Sequence, residues 1–111
     1  MRQVIYISGP MTGLPDLNKP AFHTAFALLH RAGYVVVNPA CNGLPDEAPW
    51  TAHLREDIKR LMACDGVATL PGCAASKGAR LELHNARALG MRVMTVAQWL
   101  AHAKTKTLEA A

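Results

Sequence analysis

The chain has 111 residues, half of them apolar, with twelve basic and eight acidic side chains and a formal net charge of +4. That length suits one domain with a real hydrophobic core, and no apolar run is long enough to cross a bilayer. The positive excess is spread out and lacks the aromatic-interleaved stripe of a protein that grips a nucleic-acid polymer.

Met1-Arg2-Gln3 leads straight into Val4-Ile5-Tyr6-Ile7, a first strand with no signal-peptide layout before it, so a cytoplasmic protein is expected. Ser8-Gly9-Pro10 ends that strand. A helix begins near Lys19-Pro20, proline being tolerated in a first turn, with Phe22, Ala25, Phe26, Leu29 and Ala32 as its buried face and Gly33 as its stop. Tyr34-Val35-Val36-Val37 is continuous in apolar character, as buried parallel strands are, and Asn38-Pro39 closes it. After a loop from Ala40 to Pro49, a helix from Trp50 to Cys64 buries Leu54, Ile58, Leu61 and Met62. Asp65-Gly66 turns the chain into the strand Val67-Ala68-Thr69-Leu70, and Pro71-Gly72 breaks it. Ala79, Leu83, Ala86 and Leu89 then recur at helical spacing up to a C-capping Gly90. Arg92 to Val96 is the last strand, and Gln98 to Ala103 a short final helix.

Strands alternating with helices predict an α/β fold: a three-layer, doubly wound, open parallel sheet of four to five strands, flavodoxin- or Rossmann-like. Residues 1–104 are expected to form that single domain and 105–111 a frayed tail. Ligands of such sheets bind beyond the carboxyl ends of the strands, a rim that holds Ser8-Gly9-Pro10, Asn38-Pro39 and the segment from Pro71 to Gly78.

The third of these joints is the most informative. Ser76, Lys77 and Gly78 stand between a strand end and a helix start, where unpaired N–H groups and the helix dipole attract an anion such as phosphate. Glu82 follows about one turn later, and the same dipole is expected to favour its ionised form. A carboxylate beside an anion cradle points to chemistry on a phosphorylated sugar. Each residue also has a plainer use: Glu82 as a surface helix glutamate, Ser76 as an N-cap, Ser8-Gly9-Pro10 as a turn.

Tyr6-Ile7-Ser8-Gly9-Pro10-Met11-Thr12-Gly13, Asp57 eight residues before Asp65 and a strand, and Ser76 six residues before Glu82 occur in the order found in one family. Over roughly residues 1–96 the chain resembles the nucleoside 2-deoxyribosyltransferase superfamily. That group includes deoxyribonucleoside 5′-monophosphate N-glycosidases, and the chain looks most like its short phage-type members. The resemblance implies that Glu82 attacks the anomeric carbon of a deoxyribose, leaving a covalent glycosyl-enzyme that water or a second base resolves. It casts Asp57 as the carboxylate that contacts or protonates the base, Tyr6 as the hydroxyl that orients the nucleophile, and Ser76 as a phosphate contact. Ser8, Gly9, Pro10, Gly13, Asn38, Lys77 and Gly78 complete the expected sugar and phosphate site. A small nucleoside or nucleotide is the implied partner, a homodimer or higher homo-oligomer the implied assembly. No metal or cofactor is expected, since the carboxylate does the covalent work.

Alternatives stay open at this level. A nucleotide-binding module without turnover, or a small scaffold, fits the same chain. Asp57 has a competitor in Glu56 and a plain reading as an exposed helical carboxylate, while Tyr6 reads equally as a strand aromatic. Arg80 reaches toward phosphate or blocks the cleft. Asp65 reads as a turn residue. His23, His30, His53, His84 and His102 show no metal-ligand spacing and read as surface or partly buried residues. Trp50 has a better claim than Trp99 to stack on a base. Cys41, Cys64 and Cys73, an odd number without CxxC spacing, fit a reducing compartment.

Overall fold

Short β-branched runs between amphipathic segments can bury both in one way, with strands side by side in the middle and helices on either face. A computed structural model describes residues 2–110, with side chains described through Lys106, and has this architecture. The strands β1 (Val4–Ser8), β2 (Val35–Val37), β3 (Gly66–Thr69) and β4 (Arg92–Thr95) form one parallel sheet in the order β2-β1-β3-β4. They alternate with α1 (Lys19–Arg31), α2 (Trp50–Leu61), α3 (Lys77–Ala88) and α4 (Val96–Ala110). The predicted α/β class and parallel sheet are those of the structure.

The chain steps from β1 to β2 on one side, then returns past β1 to β3, so the winding reverses at the β1–β3 seam. A crevice opens at the carboxyl ends of strands at such a reversal. Register places Ser8 opposite Thr69, and Leu70 N donates to Ser8 O at 2.8 Å, so Gly9 and Leu70 leave the sheet together. A Cβ on Gly9 would lie 2.7 Å from Leu70 Cβ, which is why the first residue after β1 is glycine.

The two-residue period of the strands sorts the core. Ile5, Ile7 and Ala68 face α1 and α4, where Phe22, Ala25, Leu29, Tyr34 and Trp99 pack on them. Tyr6 and Val67 face α2 and α3, against Leu61, Leu83 and Ala86. That second face carries the site.

Several expectations differ from the structure, each for a local reason. β2 is an edge strand with Val35 exposed rather than a buried one, because the sheet ends there. Phe26 lies at the margin of the α1 stripe and stacks in the open on His30, with ring centroids 5.7 Å apart. α2 stops at Leu61, not Cys64, which leaves Met62 exposed; Leu89 likewise follows the end of α3 and is exposed. Val96 belongs to α4 rather than to β4. Thr95 and Gln98 form a reciprocal capping box, with Gln98 N donating to Thr95 Oγ1 at 3.1 Å and Thr95 N to Gln98 Oε1 at 2.8 Å. Good helix formers then carry α4 well past Ala103, so residues 105–110 are helical backbone; Ala111 lies outside the described residues.

Candidate functional site

Residues two apart on a strand share a face, so Tyr6 and Ser8 both point at α3. Glu82 meets them there, only 5% exposed. The Tyr6 hydroxyl donates to Glu82 Oε2, and Ser8 Oγ donates to Glu82 Oε1 at 2.8 Å. Both carboxylate oxygens are therefore held from the sheet side. Burial pushes the Glu82 carboxyl up to about 7; the two hydroxyl donors pull it back, and the charge of Asp57 pushes it further up. The expectation that the α3 dipole favours the ionised form of Glu82 is thus opposed by burial. Glu82 sits in the second turn, beyond the dipole's short reach, and desolvation wins. Burial, and after it the neighbouring Glu82 carboxylate, raise the Tyr6 phenol well above its ordinary value, so it remains a donor.

Glu82 forms part of the wall of a cavity of about 800 Å³ at the carboxyl ends of β1 and β3. Asp57, on α2, lines the same cavity. Burial raises its carboxyl above the usual range, against the pull of the Asn42 amide, His53 and Arg60. Asn42 Nδ2 donates to Asp57 Oδ1 at 3.1 Å and faces His53 Nδ1 at 3.0 Å. Asn42 is itself held by Arg60, whose Nη2 donates to its main-chain carbonyl at 3.0 Å. Lys19 on α1 and Asp46 in the loop before α2 also line the cavity and pair at 2.7 Å.

The structure brings most of the predicted residues to this place. Gly9, Pro10, Asp57, Ser76, Lys77, Gly78 and Glu82 line the cavity. Tyr6 and Ser8 stand behind Glu82; Ser8 is the last residue of β1 and wholly buried, not part of an exposed turn. Gly13 and Asn38 are not on the wall. Gly13 takes the left-handed turn its φ of +83° requires. Asn38 caps the turn at Pro39–Cys41 by accepting from Ala40 N at 3.0 Å, and its amide contacts His23 at 3.3 Å. Ser76 is the N-cap of α3, accepting from Ala79 N at 3.3 Å, and still faces the cavity. The Lys77 ammonium lies 4.8 Å from the ring centre of Trp50, also in the wall.

The open alternatives divide. Glu56 is occupied by Arg60 at 3.2 Å and is off the wall, leaving Asp57 as the α2 carboxylate there. Arg80 is exposed and does not line the cavity. Asp65 starts a strand by accepting from Val4 N at 2.8 Å. Trp99 is a core residue. The three cysteines are unpaired, and burial pushes the Cys64 thiol up to about 11. Among the described residues no three His, Cys, Asp or Glu side chains gather as a metal site requires, and no helix is long and apolar enough to cross a membrane.

Sequence reasoning missed Asn42 and His53. His53 precedes Asp57 by four residues, a helical spacing that puts both on one face, and that signal was available. Asn42 gave none, since Asn42-Gly43 reads only as a turn.

A family model described as a domain of unknown function, DUF4406, matches residues 3–95. Among solved structures the chain is similar to the 2-desoxiribosyltransferase from Leishmania mexicana, at 25% sequence identity and a TM-score of 0.65 over 84% of this chain. The match spans 63% of that protein, so the chain covers less than two thirds of the transferase it resembles. No curated protein sequence matches the chain. The parallel sheet with helices on both faces is the fold of this transferase, and the likeness supports the superfamily resemblance carried by the motifs around Tyr6, Asp57 and Glu82.

Proposed function

The chain belongs to the DUF4406 family, and from that premise we propose that it cleaves or exchanges the N-glycosidic bond of a deoxynucleoside or its 5′-monophosphate. The observation that carries this reading is the buried Glu82 carboxylate, held at both oxygens by Tyr6 and Ser8 while lining a cavity of about 800 Å³. A carboxylate so constrained loses little freedom on attack, and its near-neutral affinity for protons leaves a large ionised fraction at pH 7.

In the proposed reaction a Glu82 oxygen attacks C1′ of the deoxyribose, and the C1′–N bond breaks with its electron pair leaving on the base. Asp57, whose carboxyl is raised above the usual range by burial, gives the departing base its proton. The glycosyl ester on Glu82 is then released by water, which loses a proton to Asp57, or by the nitrogen of a second base. Ser76, Lys77 and Gly78, at the start of α3, hold the 5′ end of the sugar and, where present, its phosphate. Action as a homo-oligomer in the cytoplasm, with residues 1–104 as the working domain, belongs to the same reading.

The test is base release, followed by chromatography, from each deoxynucleoside and 5′-monophosphate with and without a second free base, beside a Glu82→Ala protein. Release that the variant loses supports the reaction. No release together with nucleotide-induced thermal stabilisation replaces the enzyme with a binding module, and neither signal leaves only the fold.

Tyr6→Phe keeps the ring in the core and deletes the donor to Glu82. A hydrogen bond to a charged group is worth about 1.5–3 kcal/mol, so kcat/KM at pH 7 should fall roughly 10- to 100-fold. Glu82 loses a partner for its ionised form, and the acid limb of the pH profile should move upward. An unchanged profile would leave Tyr6 as packing alone.

A further inference from the structure

We infer that Asn42 is a positioning residue for Asp57, one that reserves Oδ2 of that carboxyl as the oxygen offered to the ligand and the one that carries the exchanged proton. The inference rests on the proposed role of Asp57 in protonating the base.

Asn42 is 6% exposed. Its Oδ1 accepts from Leu44 N at 3.0 Å, which settles the orientation of the amide: the NH2 group must face the other way. That group has two hydrogens and two acceptors before it, Asp57 Oδ1 at 3.1 Å and His53 Nδ1 at 3.0 Å. The second assignment requires His53 Nδ1 to be free of a proton. The other ring nitrogen agrees, since Nε2 lies 3.0 Å from Pro45 O, which can only accept. The fork is thus consistent at every atom, and rotating the amide would break three hydrogen bonds at once.

For Asp57 the consequence is an asymmetry between its oxygens. Oδ1 faces an N–H donor, which favours the unprotonated oxygen there. Oδ2 accepts no hydrogen bond from the described residues, and Asp57 lines the cavity. The charged and titratable groups around Asp57 are His53, Glu56 and Arg60 on α2, Glu82 on α3 and Tyr6 on β1. None of them donates a hydrogen bond to it. Asn42 alone fixes its direction.

Asn42→Asp reverses the contact and adds a like charge beside Asp57. It keeps an oxygen to accept from Leu44 N, so the loop retains its cap, but replaces the donor facing Asp57 with another acceptor. Carboxyl carbon NMR across a pH titration should show the Asp57 midpoint move upward by about one pH unit or more. Asn42→Ala, which also removes the cap, should move it in the same direction. With the substrate found in the base-release assay, Asn42→Asp should lower kcat about 10-fold or more while KM changes far less. A residue that merely held the loop would lower the melting temperature and leave the Asp57 midpoint in place in Asn42→Ala, which adds no charge; that result overturns the inference. If the native chain releases no base at all, the glycosidic reading fails on its own, and the Asp57 titration still decides what the amide does.

Discussion

Glu82→Gln is expected to end base release and, at pH 8, to make the protein more stable. The first effect follows from removing the proposed nucleophile, whose loss should cost about 10⁴-fold or more in kcat. The second follows from burial. The folded chain holds the Glu82 proton up to about pH 7, well above the ordinary carboxyl value of 4.5. Because the folded-state value is raised, this group supports folding fully below about pH 4.5, and that support is lost as pH rises through about 7. The displacement corresponds to about 3 kcal/mol of penalty on the ionised form above neutrality. Glutamine has nearly the same shape, can accept from Tyr6 and donate to Ser8, and carries no charge to desolvate. Melting temperature at pH 8 should therefore rise by on the order of 10 °C, with most of the gain gone at pH 4.5. Thermal melts of both proteins across that range check it. A variant no more stable than the native chain at pH 8 would mean that the carboxylate is well compensated where it lies, and the case for a site held at a cost to stability would collapse.

The elements that built this site were legible in unequal measure. Period two in Val4-Ile5-Tyr6-Ile7 already sets Tyr6 on one face, and helical spacing through Ala79, Leu83 and Ala86 sets Glu82 within the α3 stripe. Extending the strand by one residue would have put Ser8 beside Tyr6; reading Ser8-Gly9-Pro10 as a turn hid it, because a strand's end is decided by pairing with β3 rather than by local preference. The state of Glu82 was beyond sequence reasoning. Burial sets it, and burial is a property of the packed layers. Asn42 was hidden for a related reason, since the loop carrying it is pinned from α2 by Arg60, eighteen residues further on. The α4 start is written in Thr95-Val96-Ala97-Gln98, a capping box whose signal competes with the apolar run of β4 into Val96.

The second large effect lies on the opposite side of the sheet, at Gly66. This residue opens β3, and a Cβ there would stand 2.6 Å from Trp99 Cζ2, 2.7 Å from Cη2 and 3.0 Å from the Arg92 carbonyl oxygen. None of these can give way easily. The indole is wholly buried, its Nε1 donates to Val67 O at 2.8 Å, and the Trp99 main-chain carbonyl accepts from the Tyr34 hydroxyl at 2.6 Å. Tyr34 also packs edge-on against the ring at 5.5 Å. Gly66→Ala must push Trp99 off β3 and strain or break its hydrogen bond, so overpacking and a lost buried partner act together. A loss of about 3 kcal/mol or more is expected from denaturant unfolding. A double-mutant cycle identifies the cause: in a Trp99→Leu background, itself destabilised, the added methyl meets a shorter side chain and should cost less than about 1 kcal/mol. If the cost of Gly66→Ala were the same in both backgrounds, the Arg92 carbonyl and the β3–β4 pairing, not the indole, would be what forbids a side chain there. Either way the damage enters through the face that carries α1 and α4. Tyr6, Ser8 and Glu82 lie on the other face, so the folded fraction of Gly66→Ala should keep the pH profile of the native chain.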